Sequence, residues 1–354
     1  MDDVASGDEA GHGPVLIWDA HSCLPLDPAV DIGMLERHRL AGTGFVSVNV
    51  GMDMNPVEQI LPLIASWRRQ IAAMPDRYVL ARGTGDVENA RRTGRLAVGL
   101  DIEGAMPLLD RPDMVRMFHD LGVRQIHLAY NRNNNVCGGC YDEDVPLSAL
   151  GRQVVRAVNE AGMLMDCSHT GHRSSLDIIE CSSSPAFFSH ANPRAIRDDR
   201  RNVTDEQIDA CAARGGVVCV NGIGRFLTDV AAGTPAILDC IDYLADRIGP
   251  LHVGLGLDYS YPGAGFDDFP FGVDRGYWWP SAFGYGAGGL QGVRCARPEQ
   301  IPEILEGLDR RGYGDSDRRR IMGLNMLELA RSVWGAGHRE DAMGTTTARS
   351  HTST

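Results

Sequence analysis

Short apolar runs recur along the chain, and each is followed by a stretch whose apolar residues fall at helical spacing. The runs are "PVLIWDAH", "GFVSVNVG", "LAVGLDIEG", "VRQIHLAYN", "GMLMDCSH", "AFFSHAN", "GVVCVNGIG" and "HVGLGLDYS". Between and after them lie "DIGMLERHRLAG", "PVEQILPLIASWRRQIAAM", "PDMVRMFHDLG", "LSALGRQVVRAVNEAG", "TDEQIDACAARGG", "TPAILDCIDYLADRIG" and "DRRRIMGLNMLELARSVW". Nearly continuous apolar runs are the mark of parallel strands covered on both faces. Eight of them alternating with helices predict an α/β fold, a (β/α)8 TIM barrel. An open doubly wound sheet is the rival, but no GxGxxG loop follows the first run. Thr204-x-x-Gln207 predicts a capping box at one helix start, and Gly162 and Gly215 predict helix ends. Neither a fixed-period repeat nor a linker divides the chain. The expectation is one domain over 15–335 between disordered tails, 1–14 and 336–354.

Polar residues sit where the apolar runs stop, at the strand ends that carry the chemistry of such barrels. In the first run His21 and Cys23 are two apart, so on a strand they project to the same side, and Pro25 ends the strand. The third run ends in Glu103, the fifth in His169, the sixth in His190 and the eighth in Asp258. One histidine at a strand end is more often structural than a ligand. Three histidines, a glutamate and an aspartate on five strand ends of one barrel predict a metal site. Gly254-x-Gly256 removes side-chain bulk where backbones come close.

An insertion follows the eighth run. Residues 259–285 hold ten of the 23 aromatic residues, too many for a disordered segment. The expectation is a wall or lid over the barrel mouth, with a dimer contact as the alternative.

Composition narrows the chemistry. The chain of 354 residues is 43% hydrophobic with a net charge of −13, which argues against nucleic-acid and anionic-membrane partners. No basic leader region and no apolar stretch of membrane-spanning length is visible, so a soluble cytoplasmic protein is expected. Nine cysteines are scattered through apolar segments, and "CGGC" at 137–140 has no second CxxC to complete a zinc ribbon, so it reads as a structural loop. All 34 basic residues are arginine. Without lysine there is no Schiff base, no phosphate-loop lysine and no carbamylated lysine to bridge two metals, so any bridge must be a carboxylate.

The segments "DAHSCLP", "GLDIEGAMPL", "GVRQIHLAYNRNN", "GMLMDCSHTG", "PAFFSHANPRAI", "RNVTDEQI", "GGVVCVN" and "HVGLGLDYS", in this order, resemble the membrane (renal) dipeptidase family of the amidohydrolase superfamily. The resemblance runs from Trp18 to Trp334. It implies a (β/α)8 barrel with two zinc ions that hydrolyses dipeptides, often with a D-residue at the C-terminal position, and that forms a homodimer. By position, Glu103 matches the carboxylate that bridges both metals. His169 and His190 complete one zinc, and His21 with its second neighbour completes the other. Asp258 matches the acid/base aspartate and Arg201 the residue that grips the substrate carboxylate. Tyr130 and Asn131 fall where the family meets the substrate.

Two departures limit the transfer. The family's His-x-Asp is His21-Ser22-Cys23 here, and its histidine after the fourth strand is Tyr130. Strand alternation predicts that His127 faces the helix layer, leaving Tyr130 to donate a hydrogen bond to an oxyanion. Four readings of Cys23 stay open: a zinc ligand; a site that has lost this metal and keeps one zinc; a nucleophile or redox-sensitive brake; a small buried thiol. The function expected is a zinc-dependent dipeptidase holding one or two ions, in which metal-activated water attacks the amide carbonyl with Asp258 as acid/base. The alternatives are another small amide substrate (an N-acyl amino acid, lactam or cyclic dipeptide) or a binding protein that has lost catalysis. For Arg201 the alternative is a surface ion pair with Asp198 or Asp199.

Overall fold

The computed structural model describes residues 14–262, 272–286 and 292–334. Of the tails expected at 1–14 and 336–354, residues 1–13 and 336–354 lie outside the described residues, as does the stretch 263–271 of the aromatic insertion.

Among the described residues nine strands form one parallel sheet: β1 (Trp18–Cys23), β2 (Phe45–Met52), β3 (Tyr78–Leu80), β4 (Leu96–Glu103), β5 (Val123–His127), β6 (Leu164–Asp166), β7 (Val218–Asn221), β8 (Val253–Gly256) and β9 (Tyr259–Ser260). The helices are α1 (Glu36–Leu40), α2 (Val57–Ala73), α3 (Thr84–Arg92), α4 (Met114–Asp120), α5 (Ala149–Ala161), α6 (His172–Cys181), α7 (Asp205–Ala213), α8 (Thr234–Ile248), α9 (Arg275–Trp278), α10 (Ile301–Arg310), α11 (Asp315–Arg319) and α12 (Asn325–Trp334).

The strand order is β6-β5-β4-β2-β1-β8-β7. The gap between β6 and β7 is closed by the run predicted as the sixth strand. It is reduced to two single-residue bridges, Phe187 to Asp166 and Phe188 to Val218. With it, eight staves close the barrel. Two short strands were not expected. β3 lies beside the start of β4, and β9 prolongs the β8 stave past a kink to pair with the end of β1. The Thr204–Gln207 capping box is present, and Gly162 ends α5 in the left-handed conformation.

The barrel interior divides into two layers. At the bottom, Trp18 stacks on Phe45 with ring centroids 3.7 Å apart, and Trp334 of α12 packs beneath them. Ala20, Ala97, Leu164, Phe187, Val217, Cys219 and Met326 fill the rest of this plug. Outward-facing Val46, Val48, Val98, Leu100 and Ile102 instead belong to the larger core under the helices. Each fully buried residue of this kind contributes about 1.5–3 kcal/mol. Towards the top the inward positions turn polar: Ser47 and Asn49, Asp101 and Glu103, Gln125 and His127, and Asp166 are all buried. A greasy plug beneath a polar floor is what lets a barrel carry charge near its C-terminal rim.

Candidate metal centre

Register decides which side chains reach the rim. Glu103, His127 and Asp166 are partners across β4, β5 and β6, so all three turn the same way, into the barrel. His127 therefore faces inward, contrary to the expectation from its spacing to Tyr130. β5 ends at His127, and alternation does not carry through the turn that follows. His127 Nε2 is bonded to Asp166 Oδ2, and its Nδ1 lies 3.7 Å from Glu103 Oε2.

The two oxygens of Glu103 face two separate groups. Oε1 is 3.3 Å from His21 Nε2, which also meets Cys23 Sγ at 3.5 Å and Asp258 Oδ1 at 3.8 Å. Oε2 is 3.0 Å from His169 Nε2 and 3.8 Å from His190 Nε2, and these two nitrogens are 3.0 Å apart. His21, Cys23 and Asp258 form one compact ligand set; Glu103, His169 and His190 form a second. The structure thus brings together all six residues singled out at the strand ends.

Three site residues, Asn131, His169 and Asp258, have positive φ, at 61°, 64° and 53°. Left-handed backbone at non-glycine residues is uncommon and concentrates at functional sites. For Asp258 it marks the kink between β8 and β9. At the same level Gly256 admits its neighbour: a Cβ there would stand 1.8 Å from Ser189 O, on the stave that carries His190.

The donor chemistry fits a cation. Asn131 Oδ1 accepts from His169 Nδ1 at 2.7 Å, which places the ring proton on Nδ1 and leaves Nε2 as a lone pair. That lone pair faces a carboxylate oxygen, an arrangement of two acceptors that positive charge between them resolves. Burial, with Arg201 adding to it, lowers His169 to about 3, so the ring stays neutral. Burial also holds His190 well below its usual value, with the charge of His21 contributing. For Glu103 burial opposes ionisation, but the charge of His21 outweighs it and holds the carboxyl well below the usual range. For His21 burial is outweighed by Asp101, Glu103 and Cys23, which raise it well above its ordinary value. Burial pushes the Cys23 thiol up to about 12 against the pull of His21, and it raises Asp258. Neutral imidazole nitrogens beside an ionised carboxylate are ligands suited to a divalent metal.

Residues that sequence reasoning passed over surround these candidate ligands. Asp101 Oδ1 lies 3.3 Å from His21 Nδ1, and Asn221 Nδ2 donates to Asp258 Oδ2 at 3.0 Å. Asn49 Nδ2 donates to Glu103 Oε1, and Ser189 Oγ meets His190 Nδ1 at 2.5 Å. The period of two along "DIE" could have found Asp101, and Ser189 adjoins His190; Asn49 and Asn221 come from strands distant in sequence from their partners.

Two cavities meet at His169. The first, about 390 Å³, is walled by Leu24, Leu26, Phe226, Tyr261, Trp279 and Tyr285 above Glu103 and Asp258. Tyr130 lines it as well, while the insertion supplies Trp279 and Tyr285. The second, about 770 Å³, is polar and holds Arg194, Arg200 and Arg201. Arg201 is 3% exposed; its side chain donates to His190 O at 3.0 Å, and its Nε has no hydrogen-bond partner among the described residues. The alternative of a surface ion pair fails, because Asp198 pairs with Arg194 and Asp199 with Arg225. Asn131 lines the first cavity; its Oδ1 accepts from His169 Nδ1 and its Nδ2 donates to Trp278 O at 3.0 Å. Both cysteines of the CGGC loop are free thiols, as are all nine in the chain. No described helix is long and apolar enough to cross a membrane.

Known proteins are similar to this chain in sequence and in fold. A dipeptidase of Aspergillus terreus, ataJ, is 28% identical over 315 residues, 82% of this chain and 70% of that one. A dipeptidase of Clonostachys rogersoniana, verJ, is 30% identical over 263 residues; the match spans 73% of this chain and 61% of that one, under two thirds of its length. Among solved structures, an amidohydrolase from Pseudomonas aeruginosa superposes with a TM-score of 0.80 at 24% identity, covering 91% of this chain and 97% of its own. A metallo peptidase from Rhodobacter sphaeroides, liganded with a phosphinate mimic of the dipeptide L-Ala-D-Ala, superposes with a TM-score of 0.74 at 20% identity, covering 90% and 99%. At these identities the superpositions establish the α/β barrel fold. The sequence profile of the membrane dipeptidase family, peptidase family M19, matches residues 29–272, and the chain belongs to that family.

Proposed function

We propose that the chain is a metallo-dipeptidase that hydrolyses the amide bond of short peptides, with zinc as its metal. The observation that carries this reading is the division of Glu103, whose two oxygens each face a separate ligand set. Glu103, His169 and His190 would hold one ion, and His21, Cys23 and Glu103 the other. Bound there, zinc supplies a Lewis acid for the scissile carbonyl and for the attacking water.

The chain's own residues do the rest. Asn221 occupies Oδ2 of Asp258, which leaves Oδ1 facing the centre. Oδ1 takes the proton of the attacking water and returns it to the leaving amine nitrogen. Arg201, with its unpartnered Nε, receives the free carboxylate of the substrate. That demand restricts turnover to short chains, because a longer peptide sets its carboxylate beyond reach. Tyr130, Trp279 and Tyr285 exclude water from the apolar cavity, which strengthens electrostatic interactions inside it.

The test is turnover of a panel of L,L and L,D dipeptides by protein stripped with chelator and then reloaded with zinc. Activity that is lost and restored supports the reading; a zinc-loaded protein inert across the whole panel refutes it. A second reading, a small N-acyl amino acid, is favoured by the apolar wall of the cavity, and amine release from such substrates separates the two.

A further inference from the structure

Tyr130 stands on the loop that leaves β5, its ring stacked on that of His169 with centroids 4.4 Å apart. Its backbone N–H is fixed by Asp53 Oδ2 at 2.8 Å, and it shares a cavity with Glu103 and Asp258. The phenol oxygen accepts the indole N–H of Trp279 at 3.2 Å. Trp279 follows α9 in the aromatic insertion and is itself buried. The residue before it grips the other half of the same turn, since Trp278 O accepts from Asn131 Nδ2. Two consecutive residues of the insertion thus brace two consecutive residues of the β5 loop.

A phenolic O–H lies in the plane of its ring, in one of two directions. An N–H donor seated on one of these leaves the proton the other. Among the described residues no acceptor takes the proton of Tyr130. A donor so oriented, in a water-poor wall beside the reacting groups, acts on charge that develops on oxygen.

We propose that Trp279 is a positioning residue that aims the Tyr130 hydroxyl at the scissile carbonyl oxygen as it becomes an oxyanion. The aromatic insertion then completes the catalytic site, beyond covering the rim. The inference rests on the amide-hydrolysis reading above. An interaction that strengthens as charge builds raises kcat and leaves KM nearly unchanged. Trp279 acts through the phenol, so its contribution vanishes when the phenol is gone.

The experiment compares zinc-loaded wild type, Tyr130→Phe, Trp279→Phe and the double variant. It reads kcat and KM on a cleaved dipeptide and, separately, the affinity for a phosphinate dipeptide analogue, whose tetrahedral centre mimics the oxyanion. Tyr130→Phe is expected to lower kcat about 10²–10³-fold while KM moves by about twofold or less. Phosphinate affinity should fall in step. Trp279→Phe should lower kcat about 5- to 10-fold, the weight of one neutral hydrogen bond, and should cost nothing further in the Tyr130→Phe background. Rescue of Tyr130→Phe kcat by Tyr130→His, a donor at the same place, would add support. A Trp279→Phe loss of equal size in both backgrounds, or a phosphinate affinity untouched by Tyr130→Phe, overturns the proposal. A wild type that cleaves no dipeptide sinks the hydrolase reading instead, and the phosphinate arm still decides whether Tyr130 and Trp279 act as a pair.

Discussion

Asp101 Oδ1 stands 3.3 Å from His21 Nδ1, with both side chains fully buried, while the other nitrogen of the same ring faces Glu103 and Cys23. A carboxylate behind a ligating imidazole fixes the ring and raises its basicity. Asp101→Asn is therefore expected to weaken zinc binding about 10- to 100-fold without unfolding the barrel. Competition against a chelator of known affinity measures it, and an unchanged affinity would remove Asp101 from the centre.

Cys23 makes a sharper prediction. With His21 Nε2 at 3.5 Å and Asp258 Oδ1 at 4.0 Å, its sulfur is placed to serve as a ligand, and zinc would bind it as thiolate. Elemental analysis should find two zinc ions per chain in wild type and Cys23→Asp, and one in Cys23→Ala. One ion in all three proteins would show that the thiol is packing.

Metal removal should cost stability. The ligand sets come from five staves, so they exist only in the folded chain and binding adds to folding free energy. At free zinc about 100 times its dissociation constant the gain is about 2.7 kcal/mol. Melting with and without chelator measures it. Glu103→Gln, which weakens both sets at once, should lose most of the difference; a variant that keeps the full shift would place the metal elsewhere.

The close approach at Gly256 leaves no space for a side chain, since a Cβ would stand 1.8 Å from Ser189 O. Gly256→Ala must push two staves apart and should destabilise by about 1–3 kcal/mol. Gly85, inside α3 with nothing near its Cβ position, is the control. Gly85→Ala should stabilise by about 0.5–1 kcal/mol. Chemical denaturation of both variants tests the pair, and equal effects would contradict the packing argument.

Asp53 ties loops together by accepting from Met106 N at 2.9 Å, Tyr130 N at 2.8 Å and Asn134 Nδ2 at 3.1 Å. Burial raises its carboxyl to about 6, with these donors pulling the other way. A folded pKa above the unfolded value of about 3.9 means that the folded state binds the proton more tightly. The associated stability is full below about pH 4, falls as pH rises towards 6, and is level beyond; at most it amounts to about 3 kcal/mol. Stability curves of wild type and Asp53→Asn should therefore converge or separate by that amount between pH 4 and 6 and run parallel above. A constant difference across the interval would mean that the three donors cancel the burial.

The order of strands and helices was legible in the amino-acid sequence because burial on both faces leaves continuous apolar runs, a local signature. The six strand-end residues were legible for the same reason: each terminates such a run, and a closed barrel has one C-terminal rim. The inward turn of His127 depended on its register with Glu103 and Asp166, which arises between strands and has no trace within one. So did the tasks of Asn131 and Asn221, polar residues whose partners lie 38 and 37 positions away. The aromatic insertion could be counted from the sequence but not placed, since the bond from Trp279 to Tyr130 spans 149 residues. Local pattern determines which segments become staves; only closure of the barrel decides which side chains meet, because hydrogen bonds and ligand sets form across distances that no short window contains.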